Sequence, residues 1–537
     1  MSLATRQHKN DESAREAPDV ADTLAPLSQH DSALHDAESG KDNDTVEMPH
    51  SIFTPKEKWF LVSLASLSAL FSPFTANIYL PIIPTISKDF HKSIELINLT
   101  VTMYMIIQGL APMFWGTLSD HRGRRPIMIT CLTTLSLSCV GLALVPTSAY
   151  WLLMLLRCFQ AAGSASTYAL GAGIIADIST PAERAGFIGI YGVGPMVGPT
   201  LGPVIGGVLS QRYHWRAIFW FLCISSALWG LVLFLQVPFF SFLPETLRAI
   251  VGNGSVPAGR IYTPLMPIVG RHRVTKLPGE LPPRKPLTNP FTMLTYPDVF
   301  ILLFTNGTFF AVFYGVTASL STSFSEVYPH LTQTELGLCF LGIGGGMLIG
   351  TVLSGKLMDA NYRKIRDNLA PQAQTEPKKA IDPGSPHDSF PIERARLLIT
   401  PYLVAVYTSC VIGYGWSLQA KVSIAVPLIL QIIMGAAVVS MMNAITALLV
   451  DLVPHQGSSI TACNNVVRCL MGAGMVTVIN PIISAMGTGW AYVFLCGLCV
   501  LVTPLIWVEV RWGPIWRERR LKARQHTAGP SHEVPPA

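Results

Sequence analysis

Between residues 56 and 510 the chain alternates long, apolar, almost uncharged runs with short polar breaks. Each run has the length that a helix needs to cross a bilayer, about 20 residues. The runs cover residues 59–87, 96–119, 126–146, 150–176, 185–211 and 217–243, then 299–325, 336–355, 397–420, 422–450, 460–485 and 490–508. The pattern predicts an all-α membrane protein of twelve transmembrane helices, with a six-helix half at 56–243 and another at 297–510. A polar, Pro-rich stretch at 244–296 divides the halves, and a second, 359–396, follows span eight. Residues 1–55 are acidic and poor in aromatics, which predicts a disordered tail; 511–537 read as a basic tail.

The halves repeat one another. Gly116, Leu118, Asp120, Arg124 and Arg125 after span two recur after span eight as Gly355, Leu357, Asp359, Arg363 and Lys364, at one offset of 239. Span four ends in Ala176-Asp177 and span ten in Val450-Asp451. Two pseudo-symmetric halves of this kind, related by an axis along the membrane normal, are the architecture of transporters that rock about a central site.

Charge sharpens this picture. Lys, Arg, Asp and Glu make up 13% of the chain, about half the usual share of a soluble protein. Only 25 of these 70 charges fall outside the tails and the two polar stretches, so most of the remaining exterior must face lipid. Bases cluster after spans two, six, eight and twelve, which places both termini and the central loop in the cytoplasm. The net charge of +6 therefore marks membrane topology, and no zinc-finger spacing or aromatic-interleaved basic stripe points to nucleic acid. The ten cysteines all lie in apolar runs, unlike a secreted disulfide framework. No metal-ligand spacing, Walker motif, HExxH or GxSxG appears, so neither a cofactor nor an enzymatic activity is expected.

Three features carry candidate chemistry. In the loop after span two, Gly116, Asp120, Arg124 and Arg125 can form a carboxylate–guanidinium latch that holds one arrangement of the halves, with Asp359 and Arg363 as its repeat. Span five carries Gly189, Gly198, Gly202, Gly206 and Gly207 with Pro199 and Pro203. Such glycines let a neighbouring backbone approach closely and such prolines bend the helix, which suits a gate. Arg157 and Gln160 lie in span four and Arg468 and Asn464 in span eleven. A guanidinium inside a bilayer is costly and usually faces a polar cavity, where it binds an anion or tunes a proton-carrying group. Snorkelling to the surface is the alternative for Arg157. Asn77, Asn306 and Asn443, beside aromatics such as Phe310 and Tyr314, would complete an amphipathic pocket for a small molecule. No acidic residue falls at mid-span, so carboxylates near the span ends (Asp120, Asp177, Asp359, Asp451) are the candidates for proton exchange.

At these residues the chain resembles the major facilitator superfamily, and within it the fungal twelve-span drug:proton antiporters. The likeness covers residues 56–520. Gly116 to Pro126 matches the loop motif GxLxDxxGRR, and Gly189, Gly198, Gly202, Pro203, Gly206 and Gly207 fit the span-five antiporter motif Gx8Gx3GPxxGG. Arg157 to Gly163 matches RxxQGxG except for Ala161. Leu243 to Arg248 with Val251 to Ser255 is similar to the quinidine-resistance branch. The resemblance implies a proton-coupled exporter of drugs or small hydrophobic metabolites, acting as a monomer by alternating access in the plasma membrane, with the vacuolar membrane as an alternative. The same branch includes organic-acid exporters, which remain open as a second reading; a non-transporting receptor or scaffold of the same fold is the third.

Overall fold

The computed structural model describes residues 51–234, 243–253, 290–375, 391–453 and 457–527. The acidic tail, most of the central loop, the middle of the second polar stretch and the last ten residues lie outside the described residues, and so do the expectations for them.

Every regular element among the described residues is helical. Span one opens at Pro55 behind a reciprocal cap, in which the Thr54 hydroxyl accepts from Glu57 N and the Glu57 carboxylate accepts from Thr54 N. Such a capping box satisfies two otherwise orphaned amides. The first helix stops at Asn77, four residues before Pro81, whose ring would clash with that carbonyl. A short 3-10 turn, Leu80–Ile82, and a helix, Ile83–Asp89, complete the span. Spans two (Ile94–Arg122) and three (Arg124–Leu144) meet at Gly123, whose φ of 99° a side chain would strain. Span four is Tyr150–Ile178. Span five breaks into Pro181–Tyr191 and Val193–Tyr213, again with a proline, Pro195, four residues past the stop. Span six is Arg216–Phe234.

The second half follows with span seven at Pro297–Val327, span eight at Gln333–Thr375, span nine at Ile392–Leu397 and Thr400–Gln419, span ten at Ala425–Leu452, span eleven at Gly457–Met486 and span twelve at Thr488–Thr527. Spans eight and twelve run on as helix into stretches whose composition reads as polar loop and tail. Eleven candidate spans meet the length and hydropathy of a membrane crossing among the described residues. Span four has the length, 29 residues, but carries Arg157, Gln160, Ser164, Ser166 and Thr167. All five are buried in the protein, so the polarity that lowers its hydropathy never meets lipid.

Each half repeats the same packing. Span one lies against four and five as seven lies against ten and eleven, and span three lies against four and six as nine lies against ten and twelve. The halves meet along two seams, span five on eight and span two on eleven. Near the face opposite the termini the seam between spans five and eight is tight. A Cβ on Gly337 would lie 2.5 Å from Pro203 O and one on Gly344 2.7 Å from Thr200 Cα, and Gly207 abuts Gln333 O. Toward the face that carries the termini this packing is lost: around Gly116, Gly186, Gly189 and Gly355 a Cβ would meet nothing within 4 Å among the described residues. This is an arrangement open toward the terminal face.

Candidate functional site

The two mid-span arginines occupy different surroundings. Arg157 is 0% exposed. Its guanidinium lies between the rings of Tyr79 and Tyr104, 4.2 and 4.3 Å from their centroids, and donates to Gln160 Oε1 at 2.6 Å. Both tyrosines are fixed in turn, Tyr79 by Thr100 at 3.1 Å and Tyr104 by Ser164 at 2.7 Å, and Gln160 reaches Cys139 Sγ at 3.3 Å. The cation therefore cross-links spans one, two and four within one half, held by two aromatic faces. It does not snorkel.

Arg468 lies on the seam between halves. It is half-buried, 4.7 Å above the Phe310 ring, and its Nε is buried with no hydrogen-bond partner. Around it, the Phe310 and Tyr314 rings lie 4.6 Å apart, tilted by 39°, and Asn465 donates across the seam to Gln108 O at 3.2 Å, while Asn77 donates to Pro73 O of its own span at 2.7 Å. Asn306 donates to Asn464 at 2.8 Å and Asn464 to Thr446 at 3.4 Å, so this pair ties spans seven, eleven and ten beside the seam; Asn306 Oδ1 stays without a donor. Asn443 is elsewhere, bonded to Ser354 of span eight at 3.1 Å. The amide and aromatic set thus assembles around Arg468, while Arg157, Gln160 and Asn443 serve other neighbours.

At the terminal face Arg124 is the hub of the first-half cluster. It pairs with Asp120 at 2.7 Å and Asp177 at 3.0 Å and donates to Ser119 at 2.6 Å. Gly173 leaves room for it, since a Cβ there would lie 2.9 Å from the guanidinium carbon. Glu245, a residue that spacing alone does not single out, accepts from the backbone amides of Arg124, Arg125, Thr246 and Leu247 at 2.8 to 3.2 Å. Gly116 sits beside this cluster with open space around it. All the contacts named here stay within one half. The second half reproduces the central pair through another residue: Arg396 meets Asp451 at 3.0 Å, the separation of Arg124 from Asp177. Arg363, the match at the sequence offset, is exposed on the extension of span eight, because the longer polar stretch moves the start of span nine past it. The Asp359 side chain lies outside the described residues.

Span five is wedged between two partners. Gly194, Gly198, Gly202 and Gly206 present their bare face to span one, where Ser66, Phe74 and Ile78 backbone atoms fill it; Gly207 and Pro203 face span eight. Gly189 faces open space, and Pro199 and Pro203 lie inside the continuing helix. The glycine ladder thus glues span five to its own half, leaving the seam to Pro203, Gly207 and Thr200.

Residues 65–476 match the family model of the Major Facilitator Superfamily. Among curated relatives, a citrate exporter of Aspergillus niger is 39% identical over 487 residues, 89% of this chain and 90% of its own length. The MFS-type transporter tstD of Talaromyces stipitatus is 35% identical over 486 residues, 88% of this chain and 84% of its own. A bacterial homologue of the human lysosomal transporter Spinster shares the fold, with a TM-score of 0.58 at 16% identity over 85% of this chain and 98% of that one.

Proposed function

The chain belongs to the Major Facilitator Superfamily, and from that premise we propose that it exports a small amphipathic organic acid, its carboxylate held by Arg468. One observation carries this reading: Arg468 lies half-buried on the seam between the halves with no ion-pair partner among the described residues, whereas Arg157, whose Nε and Nη2 also lack acceptors, is fully enclosed within one half. Arg468 has no counter-charge among the described residues, and a substrate carboxylate would supply both charge and hydrogen-bond acceptors. The Phe310, Phe313 and Tyr314 rings beside it suit the apolar part of such a molecule. With Arg157 engaged by two tyrosines, one cation remains for substrate, which fits a carboxylate on an apolar body better than a compact polyanion. A relative that exports citrate is in keeping with an acid as cargo.

Transport proceeds by alternating access. The substrate enters from the terminal face, which the excess of Lys and Arg after spans two, six, eight and twelve makes cytoplasmic, and leaves after the seams exchange their open end. Inward proton movement drives the export, in the plasma membrane and with a monomer as the working unit. Anion out and proton in both carry positive charge inward, so an inside-negative potential favours each step.

Proteoliposomes holding the purified protein test the reading. A labelled aromatic or alkyl carboxylate should be transported in response to a pH gradient, and Arg468→Gln should raise its KM roughly 10- to 100-fold. Transport of a lipophilic cation instead, unaffected by Arg468→Gln, would favour the drug-efflux alternative, for which the aromatic cluster is the supporting observation.

A further inference from the structure

The terminal end of the second half contains a charge cluster that transport at Arg468 does not use. Three carboxyls converge there from three spans: Asp298 at the start of span seven, Glu393 at the start of span nine and Glu509 in span twelve. They are 1%, 0% and 0% exposed. Two guanidiniums face them. Arg520 meets Asp298 at 2.8 Å and lies 5.1 Å from the Tyr296 ring, and Arg517 approaches Glu393 at 3.5 Å. Glu509 is the odd member. Neither of its oxygens has a hydrogen-bond partner, and the charged groups acting on it are Asp298, Glu393 and Arg520. Glu509 and Glu393 flank Gly513, where a Cβ would lie 2.7 Å from Glu509 Oε1 and 3.2 Å from Glu393 Cγ. The neighbouring Arg396 is paired with Asp451 at 3.0 Å.

Glu245 of the first half provides the contrast. It too is buried and follows the last span of its half, but four backbone amides converge on it, which stabilises the carboxylate ion. Among the described residues Glu509 receives no such support and faces two other carboxyls, so ionising it would set three buried negative charges against the two guanidiniums of Arg517 and Arg520. Glu509 and Glu393, both buried and without hydrogen-bond partners on either oxygen among the described residues, are like charges that disfavour ionising together.

We propose that Glu509, together with Glu393, holds one proton in this conformation and makes the second half's terminal end a proton-sensitive latch. With the proton on, the cluster is neutral and spans seven, nine and twelve pack closely. With it off, the unbalanced charge is relieved only by admitting water or moving span twelve against span nine. The conformer open to the terminal face therefore gains as that side acidifies and loses as its pH rises. A transporter of acids would then open toward the acid that loads it. The site faces one side of the membrane, so it acts as a sensor, separate from the carrier of the transported proton.

Two measurements on the full-length protein in nanodiscs test this, neither requiring a known substrate. Infrared spectroscopy should show the carbonyl stretch of a neutral carboxylic acid at neutral pH, lost in Glu509→Gln. Spin labels at Phe114→Cys on span two and Thr461→Cys on span eleven, both exposed, should report a distance that shortens as pH rises. Glu509→Gln should hold the longer distance at every pH, and Glu393→Gln should keep the response with its midpoint lowered by about one pH unit or more. A carboxylic-acid band that persists in Glu509→Gln overturns the proposal, as does a pH-dependent distance unaltered by that substitution. Should Glu509→Gln fail to fold, an unmoved midpoint in Glu393→Gln overturns it equally. None of these readouts depends on Arg468, so they separate this inference from the substrate assignment.

Discussion

Arg157 and Arg468 are alike in the sequence, each a guanidinium within an apolar run, and unlike in the fold. Arg157 has every face covered, two rings and an amide of its own half closing around it. Arg468 has one ring beneath it and lies on a span whose Asn465 bonds across to the other half. A buried cation whose partners are all internal is a structural cross-link that senses the positions of spans one, two and four. A half-buried cation on the seam between the halves is a place that something from outside can reach. Depth in the membrane does not distinguish the two cases; the company each residue keeps does.

Substitutions can break this contrast. The largest effect is expected for Arg157→Ala, which empties a fully enclosed site and leaves Gln160 without its donor. It should destabilise the protein by about 3 kcal/mol or more, seen as a lowered thermal midpoint together with lost transport. Arg157→Lys should restore little, because an ammonium lacks the flat face that stacks between rings. Next comes Arg468→Gln. Its thermal midpoint should stay near wild type, while KM for a carboxylate substrate rises roughly 10- to 100-fold, the loss of one charge-assisted hydrogen bond. Equal destabilisation by the two substitutions would erase the distinction drawn here. Smaller still is Gly337→Ala, whose methyl would press on Pro203 O. An overpacking cost of about 1–3 kcal/mol confined to this conformer should shift the label distance toward the alternative state, whereas Gly116→Ala leaves this conformer unchanged. The smallest effect belongs to Glu183→Gln. Glu183 is exposed and hydrogen-bonded to Lys58 at 2.8 Å, a bond that holds its carboxyl below the usual carboxylate range. A depressed carboxyl contributes at neutral pH and loses its contribution as pH falls through the lowered value. At this exposure the change in a thermal scan should be barely measurable.

Much of the architecture is legible in apolar run length, because a bilayer leaves the backbone few options. The boundaries are less so. Span twelve continues past Val508 through Glu509, and the buried carboxyl was hidden by its neighbours Arg511 and Arg517, which read as the start of a tail. The repeat at offset 239 does not extend to the helix boundary, because span two ends at Arg122 while span eight continues past Gly355 to Thr375; the ion pair that matches Arg124–Asp177 in the second half is Arg396–Asp451, since a spacing is blind to how much chain lies before the next span. The aromatic clamp on Arg157 was only half visible: Tyr79 stands beside Asn77, while Tyr104 gives no signal until spans two and four are packed.

Span eight continues as one helix to Thr375 after its last named contact with span ten, Asn443 on Ser354. The remaining piece is roughly 30 Å long at about 1.5 Å per residue, comparable to the thickness of the hydrocarbon core. It is a lever arm. A tilt of about ten degrees at the fulcrum carries its tip roughly 5 Å, so each swing of the second half is magnified outside the membrane. Anything that grasps this rod acts on the transport cycle with mechanical advantage.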